Sequence, residues 1–434
     1  MSNLERQKGQ ILVLGMLLAT VLSLAWLRYF ATGQVTAGKA RLVHGLDAAA
    51  YSGALVQART LNLLSYVNRA QLAHQLAMGH LMTLGSWAHF GGVEADRLLQ
   101  GNPPAHLIGL LFGADHGRAY LSAANAVGLQ AQAQPAGGLG HAWAQHDAFV
   151  HGHLRDVATM LVRGLPRARL AAMQTVLQVH YPELAGDSLV PQVSADAWPG
   201  RVRSRPPDAG YLRFVRTLAA RYSFLAPRNQ TVRNSWPVDA RCPTLRHELR
   251  RRGATDLNPS GRWQSGDTQS FHAVRSNRWI GCYYREYPMG WAWMPASEGG
   301  QGLGDYAEEA PKNFSEQDFW RWVEEATQWD LVGGDANPLA NSYAVQSRPV
   351  WPSRGLAAYE ELSSTAGDEE VTAASRFEVR LSIPGADGRM LHARSAAESY
   401  FSRPSRRRDG RLEVANLFRP YWLARLAPGL PGPS

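Results

Sequence analysis

The densest set of groups able to ligate a metal or move a proton lies in QHDAFVHGHLRD, which supplies His146, Asp147, His151, His153 and Asp156. Asp147 and His151 stand four apart and share a face on a helix, the least geometry that two metal ligands need. With His146 they form the candidate set His146, Asp147 and His151, while His153 falls on a different face. The glutamate of an HExxH arrangement is missing, and a hydrated polar face explains the same residues without a metal. His74 and His80, farther upstream, read as packed or interfacial histidines. A second group, Asp267, Ser270 and His272 in GDTQSFH, has the residue types of hydrolysis but no partner set, and local strand hydrogen bonding accounts for it. GxSxG, P-loop, GxGxxG and paired CxxC patterns do not occur. No catalytic residue and no cofactor is assigned on these grounds, and the chain is read as a non-enzyme.

The elements that must position these groups begin with ILVLGMLLATVLSLAWL, Ile11 to Leu27, the most apolar run in the chain and free of charge. At about 1.5 Å per residue it spans roughly 25 Å, enough to cross a bilayer if Tyr29, Phe30 and Ala31 extend it while Arg28 snorkels. Ile11, Leu14, Leu18, Leu22 and Trp26 are its expected anchor positions, with membrane lipid as partner. A secretory signal peptide with Arg6 and Lys8 as its basic start is the competing reading, opposed by the run's continuing through Trp26 and Leu27 without a clean small-x-small cleavage site before Arg28. Arg6 and Lys8 before the run and Arg28, Lys39 and Arg41 after it do not orient the span. A large trailing region translocates regardless of so small an imbalance, so a single pass with most of the mass outside the cytoplasm is expected.

The 434 residues carry a net charge of +9, a balance that attracts anionic partners. The basic residues are scattered, however, apart from Arg250 to Arg252 and Arg406 to Arg408, and no nucleic-acid fold signature interleaves them, so nucleic acid is not an expected partner. Two cysteines, Cys242 and Cys282, are present: one disulfide in an oxidising compartment, or two unrelated buried thiols.

After the anchor, Val35 to Phe90 has helical periodicity without proline, and Leu46, Ala49, Ala50 and Gly53 lie where a close helix crossing would form, in a membrane or outside it. Glycines and prolines from Gly91 to Pro104 mark a break, Leu107 to Leu129 resumes a helical pattern, and Ala131 to Gly140 reads as a linker. From His141 to His180 helix returns, with Pro166 expected to end its first part. The proline-rich stretch 182–207 suits a connector. Beyond it a short helix is expected near Tyr211 to Tyr222, then an aromatic-rich region in which RWIGCYYREYPMGWAW reads as two short strands around Pro288 and Gly290. Ser315 to Asp318 fits a capping box before a helix, FWRWVEEATQW. Phe377, Val379 and Leu381 alternate with polar residues as in a half-buried strand, Gly385 to Gly388 turns, and His392 to Phe401 returns. The expected organisation is α+β: a tail and transmembrane helix over 1–31, a helical stem over 32–181, the connector 182–207, an aromatic-rich α+β region with mainly antiparallel strands over 208–427, and a flexible tail over 428–434.

RQKGQILVLGMLLATVLSLAWL followed by KARLVHGLDAAAYSGAL resembles the start of TadG-like proteins of the Flp (tight adherence) pilus assembly system. A basic lead with Gly-Gln, here Arg6 to Gln10, and an alanine-rich DAAA segment, here Asp47 to Ala50, carry the resemblance. LNLLSYVNRAQLAHQLAMGHLMTLGSW, Leu61 to Trp87, is similar to the Y-x-N-R-A stem of a proteobacterial branch, and AESYFSRP with NLFRPYWLARL, Ala397 to Leu426, to the end of that branch. Two features depart from the pattern. There is no DxSxS run of a von Willebrand A-like metal site, and Leu14 stands five residues after Gly9, where prepilin peptidase substrates have glutamate. The resemblance implies a membrane-anchored structural or assembly component of a Tad/Flp-type pilus or related secretion apparatus. It would sit in the bacterial inner membrane with its bulk periplasmic and pilin-like or other pilus-assembly proteins as partners. The residues alone leave open a membrane-tethered periplasmic enzyme or a module that binds anionic polymer.

Overall fold

The computed structural model describes residues 3–184, 186–278, 281–295, 349–363, 373–385 and 388–428. The capping box at Ser315 and the helix after it, and the tail beyond Pro428, lie outside them. The described chain is α+β: helices come first, antiparallel sheets later.

The first helix, α1 (Asn3–Leu99), joins the apolar run to the stem without interruption. It does not stop at Gly91 and Gly92. Their lack of a side chain is used for contact: a Cβ on Gly91 would meet Ala126 at 3.2 Å, and one on Gly92 would collide with Gln130. After it come α2 (Ala105–Phe112), α3 (Ala114–Ser122), a short α4 (Gln130–Ala133) and α5 (Gly138–Phe149). The helical stretch expected from Leu107 to Leu129 is thus divided at Gly113, whose φ of 104° no ordinary residue adopts readily. The expected linker at Ala131 to Gly140 instead closes α4 and opens α5. A π turn (Val150–Leu154) leads into α6 (Arg155–His180).

Pro166 lies inside α6 and does not end it. A proline there removes the N–H that would bond the carbonyl of Val162, four residues back. The indole N–H of Trp198 donates to that carbonyl at 3.1 Å, so the freed acceptor is satisfied.

The stretch read as a connector holds two strands, β1 (Gln192–Asp196) and β2 (Val202–Arg205). They are followed by α7 (Ala209–Ala219), β3 (Gln230–Arg233), β4 (Glu248–Leu257), β5 (Trp263–Asn277), β6 (Gly281–Pro295), β7 (Tyr359–Leu362), β8 (Ser375–Pro384), β9 (Met390–Phe401) and β10 (Trp422–Leu426). The Asp208 carboxylate caps α7 by accepting from the Tyr211 N–H at 2.8 Å. The described strands form sheets ordered β1-β8-β9-β10 and β3-β4-β5-β6, and a β2-β7 pair. Within RWIGCYYREYPMGWAW the described residues, from Gly281 on, form one strand through Pro288 and Gly290 where two were expected. Among the described strands β6 is the last of its sheet, and Met289 is bulged out between the Gln269–Gly290 and Ser270–Pro288 pairs, a setting that tolerates the missing N–H of Pro288.

The chain divides into two compact units, each drawn from separated stretches: residues 1–68, 157–205 and 360–434, and residues 69–156 and 206–359. Their limits do not coincide with boundaries at 181/182 and 207/208. In the first unit, Leu42, Leu46, Ala49, Ala50 and Ala54 of α1 pack with Met173 and Leu177 of α6 and with Phe377, Val379, Leu381 and Ile383 of β8. Gly53 lies in the same contact, and a Cβ there would meet Arg169, Phe377 and Met173 at 3.0–3.1 Å. Each fully buried leucine contributes roughly 1.5–3 kcal/mol. In the second unit, β3 to β6 lay one face against the later part of α1, where Gly79 receives the Trp263 indole and Gly85 that of Trp351. Cys242 and Cys282 are joined by a disulfide in this unit.

Candidate functional site

The apolar run of α1 presents its side chains outward. Ile11, Leu14, Leu18, Leu22 and Trp26 are 60–68% exposed, whereas Leu42 and Leu46 on the same helix are fully buried. Among the described residues, α1 is the one helix long and apolar enough to cross a membrane. A run of large apolar side chains left this exposed has no favourable partner in water.

Along the stem, polar residues that periodicity alone did not single out hold the C-terminal strands of the first unit. Gln57 donates to the Ser375 carbonyl and the Ser399 hydroxyl, both at 2.8 Å. Asn62 exchanges a pair of 3.0 Å hydrogen bonds with the backbone of Trp422. Asn68 donates to the carbonyls of Glu360 and Leu417 at 2.7 Å and accepts from the Glu360 N–H at 3.0 Å. Each amide supplies both a donor and an acceptor, which lets a helix satisfy backbone groups that a neighbouring strand would otherwise pair. Asn68 is the asparagine of the Y-x-N-R-A run, and Leu417 and Trp422 belong to the C-terminal stretch. The two stretches quoted for their resemblance therefore meet in space. The signal available in sequence was Gln57 and Asn68, eleven apart and so back on one helix face after three turns.

The histidine cluster takes a different form from a metal trio. His146 turns to His74, with the two Nδ1 atoms 2.8 Å apart, and Phe149 stacks on His74. Burial first, and the neighbouring His146 second, hold His74 below the ordinary imidazole pKa. Asp147 is clamped by Arg354, whose Nε donates at 2.9 Å and whose backbone N–H donates at 3.2 Å. His151 lies 3.7 Å from Asp147 but places Nε2 3.0 Å from the Gly355 carbonyl, so that nitrogen carries a proton and faces an acceptor. The side chains of His146, Asp147 and His151 are thus committed to separate partners. Among the described residues, no group of three His, Cys, Asp or Glu side chains is placed to hold a metal ion.

Ser270 and His272, two apart on β5, share a face and a 2.8 Å hydrogen bond, but both are 2% exposed and lie under the sheet surface. Asp267 points to the opposite face, where Arg228 donates to it twice at 2.9 Å and Ser86 at 2.7 Å. The three residues of GDTQSFH are therefore split across the sheet.

A polar cavity of about 250 Å³ lies in the second unit, and no motif pointed to it. Gln230 and Val232 of β3, Leu249 and Arg251 of β4 and Gln269 of β5 stand on one face of the sheet, aligned by the pairs Gln230–Arg251, Val232–Leu249 and Arg251–Gln269. Glu94 of α1 and His116, Ala119 and Tyr120 of α3 complete the lining. Gln269 donates to Glu94 at 3.1 Å and accepts from Arg251 at 3.3 Å, while Arg251 lies over the Phe90 ring at 4.1 Å. Burial pushes the Glu94 carboxyl up to about 7 against the pull of Arg251. The Tyr120 hydroxyl is buried without a hydrogen-bond partner among the described residues, and burial with Glu94 nearby raises it to about 12.

No family model, curated protein or solved structure significantly matches this chain.

Proposed function

We propose that the chain is a membrane-anchored structural or assembly component of a Tad/Flp-type pilus or a related secretion apparatus, held in the bacterial inner membrane by one span with its bulk in the periplasm. The observation that carries this reading is the division of labour within α1: an outward apolar segment from Ile11 to Phe30, then a segment from Leu42 onward whose buried residues belong to folded cores. A helix of this kind anchors a folded domain and leaves its apolar surface to lipid or to like helices. The Cys242–Cys282 disulfide supports an oxidising compartment for the second unit. The likeness of Arg6 to Gln10, Asp47 to Ala50 and the two quoted stretches to TadG-like proteins supplies the pilus assignment.

The test is genetic and visual. Cells of the bacterial host lacking this chain should lose surface Flp-type pili, seen by electron microscopy of sheared filaments. A plasmid copy should restore them, and a copy without Ile11 to Leu27 should not. Normal pili in the deletion strain would overturn the assignment.

A further inference from the structure

We propose that the cavity between α3, the end of α1 and the β3-β4-β5 face binds a small organic carboxylate, held by the Arg251 guanidinium and facing the Glu94 carboxyl. This goes beyond the structural reading above and does not depend on it.

Charge selects the class of ligand. Asp267 is answered by Arg228 at 2.9 Å and by Ser86, so its charge is spent locally. Arg251 directs one N–H to Gln269 and one, at 3.5 Å, to Asp267, out of five that a guanidinium offers. Its charge is opposed across the cavity chiefly by Glu94, whose burial favours the neutral acid. A cationic ligand would meet a like charge in the guanidinium, whereas a carboxylate would accept from its remaining N–H groups in the planar geometry that suits both. Shape and polarity narrow the class. At about 250 Å³ the cavity is smaller than those that take drug-sized ligands. Val232, Leu249 and Ala119 give it an apolar wall, which suits an organic carboxylate better than inorganic phosphate.

Binding is coupled to a proton. The titratable and charged groups around Glu94 are Arg251 from β4, Asp267 from β5, His116 and Tyr120 from α3 and Arg97 from its own helix. From β6, Gly290 lies against Glu94: a Cβ on Gly290 would meet the Glu94 Cβ at 3.1 Å. A carboxylate ligand meets the protonated Glu94 as a donor and the ionised one as a like charge. With the Glu94 carboxyl at about 7, its protonated fraction falls about tenfold between pH 6 and pH 8, and affinity should fall with it.

The experiment is isothermal titration of the full-length protein in detergent with acetate, benzoate and succinate at pH 6 and pH 8, alongside benzamide, benzylamine and inorganic phosphate. At least one carboxylate should bind saturably, about tenfold more tightly at pH 6, and more tightly than benzamide, benzylamine or phosphate. Glu94→Gln should keep binding and lose the pH dependence, while Arg251→Gln should weaken it with the melting transition retained. Failure of all three carboxylates at both pH values would overturn the proposal. So would tighter binding of benzylamine or phosphate, or a pH dependence that disappears in His116→Gln and persists in Glu94→Gln.

Discussion

Arg169 is 1% exposed, and its charge is met by the Asp196 carboxylate, with Gln57 accepting at 2.8 Å and the Phe377 ring beneath the guanidinium. Removing one partner of a buried pair strands the other's charge. Asp196→Ala should therefore lower the unfolding free energy of the first unit by about 3 kcal/mol, read from urea denaturation in detergent; Asp196→Asn, which can still accept, should cost less. Glu94 gives a pH-dependent counterpart. Its carboxyl holds a proton up to about 7 in the folded state but only to the ordinary glutamate value of 4.5 when unfolded. The stability it allows is complete below about pH 4.5 and is lost as pH rises through 7. Glu94→Gln, a mimic of the neutral acid, should melt close to the wild-type temperature at pH 5 and above it at pH 8. Neither residue was legible as special in sequence, because an arginine in α6 and a glutamate in α1 gain their meaning from strands far along the chain.

At the scale of elements, the long apolar stem and the alternation of Phe377, Val379 and Leu381 could be read directly, since each buries a stripe whose period the residues display. Pro166 could not. Whether a proline ends a helix depends on what satisfies the carbonyl it frees, and here that donor stands 36 positions on, in Trp198. Trp198→Phe should cost about 1–2 kcal/mol from the unpaired carbonyl, beyond any loss of packing; comparing its melting with that of a Pro166→Ala, Trp198→Phe double variant should show much of the loss recovered. β1 was hidden for a similar reason. The flanking Pro191 and Pro199, with Asp187 and Asp196, argue locally for a connector, but its partner is β8, which the chain reaches only after β2 to β7. The glycines of α1 act at this scale too. A Cβ on Gly85 would lie 2.5 Å from the Trp351 ring, so Gly85→Ala should destabilise the second unit by about 1–3 kcal/mol, measured by the same denaturation.

Across the whole molecule, each compact unit is assembled from stretches that the chain order separates, and α1 contributes to both. Consecutive segments were the natural reading of composition, because local patterns show where an element lies and not which distant stretch completes its core. The long apolar segment of α1 was the most legible feature, needing only length, apolarity and absence of charge, while the cavity was the least, being built of ordinary residues from two helices and three strands. The central claim is that Ile11 to Phe30 anchors a folded extramembrane protein. The most direct measurement is fractionation of cells expressing the full chain or a version lacking Ile11 to Leu27, with an alkaline carbonate wash of the membranes. The full chain should stay in the washed membrane and the shortened one should appear folded in the soluble fraction. A shortened chain that remains with carbonate-washed membranes would contradict the claim.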